Sequence, residues 1–150
     1  MNAPLCFYSE HAPGIQSPAY PGDAGFDLVV RTDTTIPAHA IDAIQLDLFL
    51  AIPDGHVGMI CGRSSMARRG IDVLGGIVDA SYRGRVTVVL VNLTDRPCIL
   101  DEGDRIAQLL IIPIATPELV RVEDQTELGQ TERAGRGFGS TNTLKVASNG

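Results

Sequence analysis

Eight consecutive residues, Arg85-Val86-Thr87-Val88-Val89-Leu90-Val91-Asn92, limit the possible folds of this chain more than any other stretch. Four valines and a threonine crowd their Cβ atoms, which restricts side-chain freedom in a helix and suits a pleated strand. Apolar residues fall at odd and even positions alike, so the run reads as a strand buried on both faces. Leu46-Asp47-Leu48-Phe49-Leu50 alternates loosely, His56–Cys61 reads as a second short strand, and residues 105–114 repeat the pattern. Turn signals at Ile36-Pro37, Pro53-Asp54-Gly55, Tyr82-Arg83-Gly84 and Asp101-Glu102-Gly103 cut the chain into many short strands. The expected fold is all-β, a jelly-roll-like β-barrel with one short helical turn over residues 64–69. Residues 1–122 form the β core in this reading. Residues 123–150 are polar and rich in glycine, serine and threonine, so they form a flexible C-terminal arm.

The 150 residues suffice for one domain with a sizeable core. No apolar run approaches the ~20 residues of a membrane span. The first six residues have neither a basic region nor an apolar signal core, so an intracellular setting is expected. Cys6, Cys61 and Cys98 are odd in number and widely spaced, which reads as reduced thiols. His11, His39 and His56 lack metal-ligand spacing, so no direct protein–metal site is expected.

A net charge of -6 argues against a nucleic-acid partner. The distribution is uneven, however. Residues 1–60 hold one basic residue against seven acids, whereas residues 61–100 hold six arginines against three aspartates. Arginine presents a planar donor fork that suits phosphates and carboxylates. A local positive zone in an acidic chain points to a small anionic ligand.

Four segments carry candidate chemistry. Gly75-Gly76-Ile77-Val78-Asp79-Ala80-Ser81-Tyr82-Arg83-Gly84 places a carboxylate at a strand end, beside glycines that let a ligand touch backbone. Such a carboxylate can activate water and the Tyr82 ring can pack on a cyclic ligand. A plain hairpin, with Asp79 and Gly84 as turn residues, accounts for the segment equally well. Arg63-Ser64-Ser65 opens the helical turn, where a serine cap and free N–H groups favour an anion. Gly103-Asp104-Arg105-Ile106-Ala107-Gln108-Leu109 buries a polar Gln108 in an apolar run, so its amide needs a partner, either a ligand phosphate or backbone. In the arm, Arg133-Ala134-Gly135-Arg136-Gly137-Phe138-Gly139-Ser140-Thr141 combines exposed N–H groups, charge, hydroxyls and one aromatic ring. That composition suits a polyphosphate with a stacked base.

Together with Ala24-Gly25-Phe26-Asp27-Leu28, these segments make five motifs in order, and the chain resembles the trimeric dUTPase family. The resemblance implies a homotrimer with three shared active sites that hydrolyse dUTP to dUMP and pyrophosphate. It implies that Asp79 activates the attacking water and that Asp27 supports the site. Leu74, Gly75 and Gly76 would read uracil, with Phe138 stacked over it and Tyr82 packed on the deoxyribose. Arg63, Ser64, Ser65 and Gln108 would contact phosphates, and Arg133, Gly139, Ser140 and Thr141 would close over them. Mg²⁺ would arrive on the triphosphate. Two departures stand out: Ala134 and Arg136 occupy positions where the family arm usually has glycine, and Ser65 stands where glycine is more usual. The sister dCTP deaminases carry a catalytic glutamate where this chain has Val89.

Overall fold

The computed structural model describes residues 4–136. Two compact units divide at Thr116, the first running Met1–Thr116 and the second Pro117–Gly150.

The first unit is a jelly-roll-like assembly of eleven strands. They are β1 (Cys6–Tyr8), β2 (Ile15–Gln16), β3 (Phe26–Val29), β4 (Thr34–Ile36), β5 (Ile41–Ala51), β6 (His56–Cys61), β7 (Ile71–Leu74), β8 (Ile77–Val78), β9 (Arg85–Asn92), β10 (Cys98–Leu100) and β11 (Arg105–Pro113). One four-residue helix, α1 (Ser64–Ala67), follows β6. The strands form a four-stranded sheet, β1-β5-β9-β7, a five-stranded sheet, β2-β3-β11-β6-β8, and a ribbon, β10-β4. Every pairing is antiparallel. Among the described residues the sheets stay open and do not close into one barrel. Each of the four expected turns falls between two strands.

One hydrophobic cluster joins the two large sheets. Leu46, Leu48, Val86, Val88 and Leu90 enter it from one sheet, and Leu28, Ile60, Ile106 and Leu109 from the other. The β9 reading needs correction here. Val86, Val88, Leu90 and Asn92 are buried, but Thr87, Val89 and Val91 on the alternate face are only half-buried. An antiparallel sheet needs only one face on the core, so an apolar run can overstate burial of the other. Asn92 is the one polar residue buried in the described core, and it is fully satisfied. Its Nδ2 donates to the carbonyls of Ile36, Pro37 and Arg96, and its Oδ1 accepts from Thr94. It therefore pins the β9 end to two loops.

A β-bulge in β11 positions the site. Against β3, Arg105 pairs with Val29 and Ala107 with Leu28, so Ile106 is an extra residue. Ile106 and Ala107 both turn into the core, fully buried. In an unbroken strand Arg105 and Gln108, three apart, would face opposite sides. The bulge puts both on the outer face, where Asp27 of β3 lies opposite Gln108.

In the second unit, a short 3-10 turn spans Gln125–Leu128. Asp124 caps it: its carboxylate accepts from Thr126 N–H at 2.8 Å, and Glu127 reaches back to Asp124 N–H at 2.9 Å. The Thr126 hydroxyl, which donates to the same carboxylate at 2.6 Å, and then the Thr126 N–H hold the Asp124 carboxyl below its ordinary range.

Candidate active site

The outer face of the five-stranded sheet carries a polar row running Gln16, Asp27, Gln108, Cys61 across β2, β3, β11 and β6. Asp27 anchors it. Its Oδ1 accepts Arg63 Nε at 2.9 Å, and its Oδ2 meets Arg105 Nη1 at 3.4 Å. Arg63 Nη1 also donates to the Arg105 carbonyl at 3.0 Å. With the Asp27 side chain 15% exposed and that of Arg63 26%, the pair is partly desolvated and its geometry is fixed rather than averaged.

Gln108 finds a backbone partner: its Nε2 donates to the Gly62 carbonyl at 3.0 Å. Its Oε1 lies over Gly25, where any Cβ would come within 2.6 Å. A side chain at position 25 would have to displace this amide. Cys61, beside Gln108 in the row, has its thiol pushed up by burial, partly offset by a hydrogen bond from Gln108.

The serine reading changes in one respect. The helix N-cap is Arg63, with extended backbone (φ -90, ψ 142) and no side-chain cap. Ser64 and Ser65 are the first two helical residues, because the chain turns helical one residue earlier than a serine cap requires. Their hydroxyls are left to the solvent side, and both residues are exposed.

These groups enclose a cavity of about 420 Å³, bordered by Asp27, Arg63, Ser64, Ser65, Arg105 and Gln108. Tyr20 and Asp23 line its rim. Neither they nor Arg105 had been singled out from the sequence. Arg105 was legible only as part of its motif, since the bulge that aims it at Asp27 leaves no mark in the hydrophobic pattern.

Leu74, Gly75, Gly76, Asp79 and Tyr82 do not line this cavity. Leu74 ends β7 in one large sheet, Gly75 and Gly76 link it to β8 in the other, and Asp79 and Tyr82 follow β8 in the loop that leads to β9. Gly75 and Gly76 have φ of 71° and 92°, and Ile60 N–H donates to the Gly76 carbonyl at 2.7 Å. A Cβ on Gly76 would collide with the Ile60 carbonyl. Asp79 is exposed, and among the described residues no donor holds its carboxylate. Its carbonyl accepts Tyr82 N–H at 3.0 Å. Tyr82 donates its hydroxyl to the Arg85 carbonyl at 3.1 Å, and its ring fills the place where Gly84 would carry a Cβ.

In the second unit, Arg133 Nε donates to the Arg136 carbonyl at 2.9 Å and Arg136 Nε to the Arg133 carbonyl at 3.1 Å. Ala134 between them adopts φ 45°, a conformation that glycine takes more readily. Phe138, Gly139, Ser140 and Thr141 lie outside the described residues.

Away from the cavity, Glu10, His11 and Asp47 converge. Asp47 accepts the N–H groups of Glu10 and His11 at 2.9 and 2.7 Å. The Glu10 bond contributes most to holding its carboxyl below the usual range. Its oxygens thus already close a loop, and the residues serve as a structural clasp.

An all-β unit with an arginine-walled anion cavity is the class this geometry defines. The dUTPase family model matches residues 13–142, and the chain belongs to that family. It is 42% identical over 121 residues to the deoxyuridine 5'-triphosphate nucleotidohydrolase of Paramecium bursaria Chlorella virus 1, covering 80% of this chain and 84% of the relative. The cowpox virus enzyme of the same name is 39% identical over 145 residues, covering 94% and 95%. The Staphylococcus bacteriophage 80alpha dUTPase, solved with dUPNHPP, superposes with a TM-score of 0.84 at 26% identity, over 95% of this chain and all of that one.

Proposed function

We propose that this chain hydrolyses dUTP to dUMP and pyrophosphate, limiting uracil incorporation into DNA and supplying dUMP. The observation that carries the reading is the Asp27–Arg63–Arg105 cluster beside Gln108, Ser64 and Ser65, a fixed donor set facing one cavity, in a chain of this family. Fixed guanidinium and hydroxyl donors bind a phosphate chain without reorganising at the moment of reaction. Val89 supports hydrolysis over deamination, because an apolar side chain there can transfer no proton.

Asp79 is the general base: its exposed carboxylate takes a proton from the water that attacks the α-phosphorus, and pyrophosphate leaves in line. Leu74, Gly75 and Gly76 offer backbone groups to uracil, Tyr82 packs on the deoxyribose, and Phe138 stacks on the base. Arg133, Gly139, Ser140 and Thr141 close over the β- and γ-phosphates. The protein works as a homotrimer. That assembly accounts for the absence of residues 74–82 from the lining of their own chain's cavity, because a neighbouring subunit's link then completes the site.

Both carboxylates at the cavity are already engaged, Asp27 by two arginines and Asp23 by Tyr20 N–H at 3.1 Å. A Mg²⁺ ion would therefore be held by phosphate oxygens of the incoming triphosphate, where it supplies charge neutralisation. The three cysteines are free, which suits an intracellular enzyme. Among the described residues no helix is long and apolar enough to cross a membrane.

Pyrophosphate release measured across dUTP, dCTP, dTTP and UTP tests the assignment. Turnover of dUTP well above the other three is expected, and equal turnover of UTP or deamination of dCTP would overturn it.

A further inference from the structure

A second cavity, of about 310 Å³, adjoins the first and shares Arg63, Ser65 and Arg105 with it. Its own contribution is Arg69, which follows α1, and Asp104, which precedes β11. Asp27 pairs with Arg63 and Arg105 from the first cavity, so three arginines border this small hollow against two carboxylates, of which only Asp104 lines it. That carboxylate is partly spent: Asp104 Oδ2 accepts Asp101 N–H at 3.0 Å within its own turn. Arg63 uses Nε and Nη1 on Asp27 and the Arg105 carbonyl, and Arg105 uses one Nη on Asp27. Each keeps further N–H donors. Among the described residues Arg69 has no carboxylate within ion-pair distance, although its side chain borders the hollow. Three arginines with unspent donors against two carboxylates that both already accept hydrogen bonds leave the hollow net positive, with donors free for an anion.

We propose that this second cavity binds inorganic pyrophosphate as a site distinct from the nucleotide cavity. The choice of anion rests on the proposed hydrolysis, which releases pyrophosphate on the other side of the same arginines. A compact polyanion has oxygens enough to meet Arg69 and the free edges of Arg63 and Arg105 together. Because the wall is shared, an anion here competes for guanidinium charge with a triphosphate in the first cavity. It does not compete with a monophosphate nucleotide, which lacks the β- and γ-phosphates. Pyrophosphate therefore acts as a product inhibitor from the neighbouring cavity.

Calorimetric titration of pyrophosphate into the full chain saturated with dUMP tests this, using wild type, Arg69→Ala and Arg69→Lys. Arg69 is exposed and makes no side-chain bond among the described residues, so both variants keep the fold. Wild type should bind one pyrophosphate per chain, Arg69→Ala should bind it about fivefold or more weakly, and Arg69→Lys should recover most of the loss. The dUMP affinity should be the same in all three, and a non-hydrolysable dUTP analogue in place of dUMP should weaken pyrophosphate binding. Equal binding by wild type and Arg69→Ala, or no binding to the dUMP-saturated wild type, would overturn the proposal. Failure of dUMP itself to bind would count against the hydrolase reading instead, and titration without nucleotide would still decide the site.

Discussion

Asp27 accepts the Nε–H of Arg63 at 2.9 Å, tying the middle of β3 to the residue that opens α1. The bond fixes a guanidinium in a partly desolvated position, so its loss should be felt in phosphate binding before it is felt in the fold. Asp27→Asn keeps the shape and removes the charge. We predict a rise in KM for dUTP of about 10–100-fold, with a smaller change in kcat, because charge-assisted bonds of this kind contribute ~1.5–3 kcal/mol. A variant with normal KM and only a lowered melting temperature would reduce Asp27 to a structural role.

Gly76→Ala should be severely destabilising. The residue has φ 92°, and an added Cβ would meet the Ile60 carbonyl, which belongs to a strand of the five-stranded sheet. Backbone strain and backbone collision together should cost more than about 2 kcal/mol. Denaturant unfolding reads this directly. A loss of under half a kcal/mol would mean that the β7–β8 link can move aside.

How much of this was legible beforehand follows from what holds each element. β9 and β5 announce themselves because β-branched and alternating apolar residues carry their own signal, and the turns because glycine and proline mark them. β1, β2 and β10 are two or three residues long and exist only through their pairing with β5, β3 and β4, so no periodicity exposes them. Of the site, Gln108 was readable as a polar residue in an apolar run, and Asp27 only through the family motif that holds it. Arg105 was not, because its direction depends on the bulge at Ile106. The turn at Gln125–Leu128 did have a signal: Asp124 followed three residues later by Glu127 is the capping pattern that the structure realises.

The cysteines should label in a fixed order. Cys6 is exposed and Cys98 buried, and burial pushes the Cys61 thiol up, so less thiolate forms there at neutral pH than on an ordinary cysteine. A thiol reagent should therefore modify Cys6 first, and Cys61 should catch up only as the pH rises above the usual thiol range. Cys61 reacting as fast as Cys6 at neutral pH would contradict its environment.

Sharing of each site between subunits predicts complementation. Asp79→Asn with its arm, and a truncation before Arg133 that retains Asp79, should each be inactive alone. Random equal mixing makes about three-quarters of trimers mixed, each with one sound site in three, so about a quarter of sites should recover. No recovery after demonstrated subunit exchange would place Asp79 and the arm in the same chain's site.

The central claim is that the exposed Asp79 carboxylate activates the attacking water. It is tested most directly by comparing single-turnover dUTP hydrolysis in wild type and Asp79→Asn, with the affinity of each for a non-hydrolysable dUTP analogue measured alongside. Hydrolysis should fall by ~10²–10⁴ or more while analogue affinity stays within about threefold, since the change removes basicity and keeps shape. Near-normal hydrolysis by Asp79→Asn would contradict the account.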